Sequence, residues 1–381
     1  MGQLLDQIGA KANALKIPLH AQLDVTWKCN ERCIHCYLDH GIGGDMTTGE
    51  IKSLFDQLAA AGSLFLTISG GEIMLRKDIF EIVAHARSLM FDVRLKTNGI
   101  LIGEREAAHF ARLGTRRVDI SIYSWRPEVH DAVTLIPGSL ARSIEAIRYL
   151  ARQGIQAEMR TPIMKGSSAA DYPGIQALAD ELGVKTKFDP TITPRLDGDR
   201  APLALRVSGE TLKNLFLDPI VTVGVDDVCA PPPPVDAQVL SRHPCGAGHS
   251  SVYVTPQGDV VPCVQFPMVC GSIRRNTFAE IWQGPQFLRV REVRVRDMPV
   301  CSTCANVPLC TRCPGLAYME TGDFLAPSTL DCEKSFARTG IPAAPMQIRS
   351  TVPRHAHPEG RTFPAGIDVP STLVQISGQV Q

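Results

Sequence analysis

The sequence predicts an α/β protein, a partial (β/α)6 TIM-like barrel followed by a small cysteine-rich domain. Three observations predict it: six β-then-α units in series from about residue 20 to 195, a Pro-rich break behind them, and cysteines crowded into the last third. Strands that alternate with helices pair in parallel through right-handed crossovers, and such a series closes or partly closes into a barrel. A doubly wound open sheet has the same periodicity and is the alternative.

The candidate strands are the β-rich runs 22–26, 64–69, 93–97, 117–123, 155–161 and 184–191. Between the first two lies the best-marked helix. Ile51, Leu54, Phe55 and Leu58 share one face, Thr47 or Thr48 can cap it, and Gly62 ends it. Similar stripes follow at Ile79, Ile82, Val83 and Ala86, and at Leu140, Ile144 and Ile147, while 100–113 and 171–182 fill the remaining helical places. His130 and Asp131 fall in a loop-like stretch. Pro190, Pro194, Pro202, Pro219 and the run Pro231 to Pro234 read as a linker with one short helix near 208–217. Residues 241–335 hold few long periodic stretches, so metal ligation is expected to supply much of their order. The expected divisions are a lead-in (1–19), the barrel (20–220), the Pro-rich linker (221–240), the cysteine-rich domain (241–338) and a flexible tail (339–381).

With 381 residues the chain has material for two or three domains. Hydrophobic residues at 44% and charged residues at 20% are ordinary for a globular protein. Lys+Arg and Asp+Glu balance at 39 each, which argues against broad nucleic-acid or anionic-membrane binding. No apolar run approaches the roughly 20 residues of a membrane span, and the N-terminus lacks a signal-peptide pattern. A cytoplasmic protein is expected. Twelve cysteines are therefore informative, because that compartment keeps thiols reduced and close clustering reads as metal or cluster ligation. Cys29, Cys33 and Cys36 come first, none occurs from 37 to 228, and nine follow from Cys229 to Cys332.

The first group stands as C-x3-C-x2-C just past the first strand, where barrel enzymes place their chemistry. Three thiolates leave one iron of a cubane open to a further ligand. A three-Cys zinc site completed by His35 is the other reading of the spacing. The stretch WKCNERCIHCY resembles the signature of radical S-adenosylmethionine (SAM) enzymes. Ser69-Gly70-Gly71-Glu72, at the end of the second strand, matches that family's GGE motif. Two glycines let backbone approach a ligand, and a glutamate can hold an ammonium group. The resemblance implies that SAM chelates the open iron through its amino and carboxylate groups. Gly70, Gly71 and Glu72 would hold its methionine amine. Asn98, in Thr97-Asn98-Gly99, and Ser121 would contact ribose or methionine, and Arg160 would pair with the methionine carboxylate. Trp27 and Tyr37 flank the triplet and are read as shielding a cluster.

The second group runs Cys245, Cys263 after a Gly258-x4-Cys263 step, Cys301-x2-Cys304-x5-Cys310-x2-Cys313, and Cys332. The central quartet alone would also suit zinc. The whole order resembles the SPASM extension of radical SAM enzymes, with one departure: its last pair is C-x2-C where that family commonly has C-x3-C. By this resemblance Cys301, Cys304, Cys310 and Cys332 bind an outer cluster, and Cys245, Cys263 and Cys313 an inner one. Cys229, Cys270 or an open iron completes the inner set. The implied cofactors are three [4Fe–4S] clusters, one SAM-binding and two auxiliary, with SAM itself.

The resemblance implies an oxidoreductase of the peptide-maturase type. It would cleave SAM reductively to a 5′-deoxyadenosyl radical, and oxidatively modify or crosslink a ribosomally made peptide. The alternatives are an anaerobic sulfatase-maturing, formylglycine-generating enzyme, a tetrapyrrole or haem-pathway enzyme, and a zinc-stapled scaffold with no enzymatic role. Expected partners are the peptide or protein substrate and an electron donor such as flavodoxin or ferredoxin. A separate peptide-recognition protein is also expected, since the 28 residues before Cys29 leave no room for a fused recognition domain. Neither nucleic acid nor membrane is expected as a partner. Arg289, Arg291, Arg294 and Arg296 read as a solvated helix face, and His355 and His357 as residues of the tail.

Overall fold

The computed structural model describes residues 2–221 and 231–343. Cys229, His355, His357 and most of the expected tail lie outside the described residues. Helix α1 (Gly2–Leu15) leads into six β-then-α units: β1 (His20–Asp24), α2 (Thr48–Ala60), β2 (Phe65–Ser69), α3 (Ile79–Ser88), β3 (Asp92–Thr97), α4 (Glu104–Arg112) and β4 (Arg117–Ser121). They continue through α5 (Pro127–Thr134), α6 (Ser139–Arg152), β5 (Gln156–Pro162), α7 (Ser168–Glu181), β6 (Lys185–Asp189) and α8 (Gly209–Leu217). The cysteine-rich segment holds α9 (Ala237–Ser241), β7 (Ser251–Val254), β8 (Asp259–Val261), β9 (Gly271–Ser272), α10 (Phe278–Trp282), α11 (Pro285–Glu292), α12 (Pro314–Thr321) and α13 (Thr329–Thr339).

One sheet runs β6-β5-β4-β3-β2-β1-β7-β8-β9. The first six strands lie in sequence order and pair in parallel, so every crossover moves the same way round. A doubly wound sheet would reverse at a switch point; this one does not, and the barrel reading holds. β1 pairs with β2 and β7, leaving β6 as an unpaired edge, so the barrel stays open.

Strand alternation sorts the two faces of the sheet. Leu23, Leu66, Ile68, Val93, Leu95, Val118, Ile120, Ala157 and Met159 face outward into the main core with the helices. Ile51, Leu54, Phe55 and Leu58 on α2 meet them, and Thr47 closes a capping box with Glu50. On α6 the buried stripe includes Leu140, Ala146, Ile147 and Leu150, while Ile144 is only partly buried. The other set, including Gln22, Asp24, Arg94, Lys96, Asp119, Glu158 and Arg160, lines a polar lumen.

The lead-in is largely helical. Three readings change. His130 and Asp131 sit in α5, begun by Pro127 at its first position, and His130 is buried. The arginine group is no simple solvated face: Arg291 is 5% exposed, stacks over Trp282 at 4.2 Å and donates to Gly248 O. The cysteine-rich segment has apolar order of its own. β7 adds to β1 in parallel and carries β8 and β9 with it. Val252, Val254, Val260, Phe278, Trp282 and Phe287 join the main core. Strands of two to four residues are too short to be legible as periodicity. Among the described residues no helix is long and apolar enough to cross a membrane.

Arg76 ties the top of the sheet together. It donates to both Asp78 oxygens at 2.9 and 2.6 Å, to Val25 O at 3.0 Å and to Met46 O at 2.8 Å. The guanidinium holds the Asp78 carboxyl at about 2, below its ordinary value of 3.8. A depressed folded pKa stabilises the fold above the unfolded value and loses that contribution as pH falls through the folded one. Asp78→Asn is expected to cost about 1 kcal/mol at neutral pH, with the difference from wild type vanishing as pH approaches about 2. Urea titrations across that range measure it, and a difference independent of pH contradicts it.

Candidate active site

The cysteine loop leaves β1 at the C-terminal end of the sheet, and parallel pairing with the β2 loop continues past both strands. Val25 N donates to Ser69 O at 2.9 Å, Gly71 N to Thr26 O at 2.8 Å and Glu72 N to Lys28 O at 2.9 Å. Only glycine allows this approach. Gly70 has φ +146°, and a Cβ there would lie 2.2 Å from Thr26 O; one on Gly71 would lie 2.4 Å from Lys28 O. The glycine pair thus lies against the backbone that carries the cysteines.

Glu72 likewise has partners within the protein. It is 0% exposed and accepts from Thr97 Oγ1 at 2.8 Å on both oxygens, from Asn98 N at 2.9 Å and from Met74 N at 2.9 Å. An ammonium group would compete with these donors. Asn98 then reaches the cysteine loop: its Nδ2 donates to Asn30 Oδ1 at 2.7 Å, and its Oδ1 accepts from Ile100 N at 3.1 Å.

Cys29, Cys33 and Cys36 are half-buried on this loop. Burial pushes their thiols up, Cys29 to about 12, so without a bound cation they remain protonated. Two buried polar atoms beside them lack hydrogen-bond partners, Glu31 Oε1 and His35 Nδ1. Among the described residues no three Cys, His, Asp or Glu converge as ligands of a single ion. A cubane holds its cysteines on separate irons and suits this wider set. Three more side chains, which spacing gave no reason to single out, face the sulfurs. Glu31 Oε2 lies 3.3 Å from Cys33 Sγ, and Tyr123 OH lies 3.8 Å from it. His40 donates through Nδ1 to Trp27 O at 2.7 Å and presents Nε2 to Cys36 Sγ at 3.4 Å.

Ser121 and Arg160 are register partners on the lumen face. Arg160 pairs with Asp119 at 2.9 Å and Glu158 at 3.3 Å, and Arg94 pairs with the same two at 3.1 and 2.9 Å. A ligand carboxylate at Arg160 would compete with those acids. Trp27 is buried and donates to Asp24 at 3.3 Å, which also accepts from Tyr253 OH at 2.9 Å. Tyr37 is partly exposed.

Downstream, Cys301, Cys304, Cys310 and Cys332 line one cavity with an empty volume of about 460 Å³, its mouth included. Its donors suit a four-thiolate cluster. Cys245, Cys263 and Cys313 form a second group, each within electrostatic reach of at least one other. The start of α12 is drawn onto the Cys263 loop at Gly315, where a Cβ would lie 2.2 Å from Gln265 O. Cys270 belongs to neither group. It is 7% exposed in the main core, donates to Met268 O at 3.5 Å, and has Arg291 within electrostatic reach.

The radical SAM superfamily model matches residues 24–179, and the SPASM model, an iron–sulfur cluster-binding domain, matches residues 245–314. An AdoMet-dependent heme synthase of Methanosarcina barkeri is 26% identical over 324 residues, covering 79% of this chain and 93% of the relative. A PqqA peptide cyclase of Xanthomonas axonopodis pv. citri is 30% identical over 356 residues, covering 87% of this chain and 91% of the relative. Streptococcus suis SuiB bound to its precursor peptide SuiA has a similar fold, with TM-score 0.66 and 14% identity over 85% of this chain and 78% of that one.

Two substitutions test the geometry. Gly71→Ala is expected to cost about 3 kcal/mol or more, because the added carbon meets backbone that cannot move aside. Denaturant titration measures the loss, and a change below about 0.5 kcal/mol contradicts the close approach. Cys270→Ala is expected to leave the iron and sulfide content of reconstituted protein unchanged; a loss would make Cys270 a ligand.

Proposed function

This chain belongs to the radical SAM superfamily and carries a SPASM iron–sulfur cluster-binding domain, and we propose that it oxidatively modifies or crosslinks a ribosomally made peptide. The observation that carries this reading is the 30% identity to a peptide cyclase over 91% of that enzyme. The fold shared with a peptide-bound relative supports it. A second reading, a tetrapyrrole substrate, is favoured by the heme synthase relative.

Cys29, Cys33 and Cys36 are the proposed ligands of the SAM-binding [4Fe–4S] cluster. The set Cys301, Cys304, Cys310 and Cys332 would hold an outer auxiliary cluster, and Cys245, Cys263 and Cys313 an inner one. When bound, the reduced cluster and SAM supply a 5′-deoxyadenosyl radical that abstracts hydrogen from the substrate. Gly70, Gly71, Glu72 and Asn98 fix the loop that holds the first cysteines. Ser121 and Arg160 face the lumen where SAM would lie. Trp27 and Tyr123 limit the access of water to the sulfurs, and Tyr123 and His40 present hydrogen-bonding atoms to them, which tunes a cluster's potential. An extended chain would enter the lumen past the β6 edge, which has no strand beyond it. A flavodoxin or ferredoxin would deliver the electron, and a separate protein would recognise the peptide.

Replacing Cys29, Cys33 and Cys36 together by Ala is expected to abolish 5′-deoxyadenosine formation while sparing the auxiliary clusters. Anaerobic reconstitution, iron and sulfide counts and product chromatography check both parts; retained cleavage overturns the assignment. To identify the substrate, the enzyme is co-expressed with precursor-like peptides encoded beside its gene, and the peptides are weighed by mass spectrometry. A mass change that needs the three cysteines supports the peptide reading. Turnover of a tetrapyrrole alone supports the second.

A further inference from the structure

The lumen holds a cation that its charge network leaves out. Arg94 and Arg160 are both paired to Asp119 and Glu158. Lys96, between Leu95 and Thr97 on β3, faces the same side and has no carboxylate within ion-pair distance among the described residues. Its one hydrogen bond goes to Gln22 Oε1 at 3.4 Å. Asp119, its register partner on β4, is taken up by the two arginines, and Asp24, two strands away, is turned to Tyr253, Trp27 and Gln22 at 2.9, 3.3 and 3.3 Å. Burial raises the Asp24 carboxyl and lowers the Lys96 ammonium, the cost of a buried charge without a close counterion.

The position matters as much as the charge. Lys96 is within electrostatic reach of Cys263, in the inner auxiliary group, and sits one residue before Thr97, which bonds the loop-fixing Glu72. It thus stands between the two cysteine regions, where a substrate would have to lie. The approach to it is basic as well: Lys185 and Lys187 on the open β6 edge are exposed and share the lumen face with their register partners Glu158 and Arg160.

We infer that Lys96 binds a carboxylate side chain of the substrate, an Asp or Glu, inside the lumen and so positions the carbon that loses hydrogen. This rests on the reading of the chain as a peptide-modifying enzyme and narrows its substrates to those with an acid near the reacting position. Lys96 is a specificity-determining residue here. Hydrogen bonds from a charged group shielded from bulk water are strong enough for a preference of about tenfold or more.

The test uses reconstituted holoenzyme with SAM bound, titrated calorimetrically with acetyl-Glu-Ala-Ala-amide and acetyl-Gln-Ala-Ala-amide. Wild type is expected to prefer the Glu peptide by about tenfold, with the preference lost in Lys96→Met and kept in Lys96→Arg. SAM affinity, measured on the same samples, is expected to stay unchanged, and the auxiliary-cluster potentials are measured alongside. Equal binding of the peptides by wild type, or binding of neither, overturns the inference, as does a preference that survives in Lys96→Met. A Lys96→Met effect confined to SAM affinity assigns the ammonium to the SAM carboxylate instead. One confined to auxiliary-cluster potential makes it a counter-charge for those sulfurs. Binding is read without turnover, so failure here is distinct from failure to modify any peptide.

Discussion

The structure depends most on the backbone pairing that continues beyond β1 and β2, where Gly70 and Gly71 lie against Thr26 to Lys28. A loop of half-buried cysteines has little internal reason to hold one shape. Here its first residues are bonded to the β2 loop, and the buried Glu72 carboxylate bonds that loop to the end of β3 through Thr97 and Asn98. Asn98 closes the circuit through Asn30. Three strand ends are thereby fixed relative to one another before any cofactor binds. A buried, multiply bonded carboxylate is costly to disturb, which gives the arrangement its rigidity.

The second constraint is sheet continuation. Because β7 pairs with β1, the cysteine-rich segment is seated on the barrel's own first strand. Tyr253 reaches from β7 to Asp24, so the lumen and the auxiliary region share a hydrogen bond as well as a sheet. At the other end Arg206, just before α8, meets Glu320 on α12 at 3.4 Å, a further tie between the two parts.

Most of the six parallel strands were legible because their apolar residues alternate, and α2, α3 and α6 because each carries a stripe at 3.6-residue spacing. By contrast, α5 has no such mark and reads as a loop. The cysteine triplet and GGE were legible as a spacing, and so were the downstream cysteines, four of which line one cavity. The role of the GGE residues was less so. That the glycines meet backbone and that Glu72 is enclosed depends on contacts about 25 to 45 residues apart in sequence, which no local pattern encodes. His40, Glu31 and Tyr123 were missed for the same reason: they acquire meaning only through proximity to sulfur. The β7–β9 strands are too short for periodicity, and the arginines looked solvated because sequence cannot tell that Trp282 lies under Arg291. Cys270, left open by the spacing as one way to complete the inner set, lies in the main core.

Under the proposed function, seating the cysteine-rich segment on β1 has a consequence for electron flow between the clusters. Tunnelling between redox centres falls steeply with separation, so a hinged second domain would make its rate fluctuate with every domain motion. A continuous ladder of backbone hydrogen bonds removes that variable. The spacing between the regions then becomes a property of the sheet, and would change little with temperature, substrate or crowding.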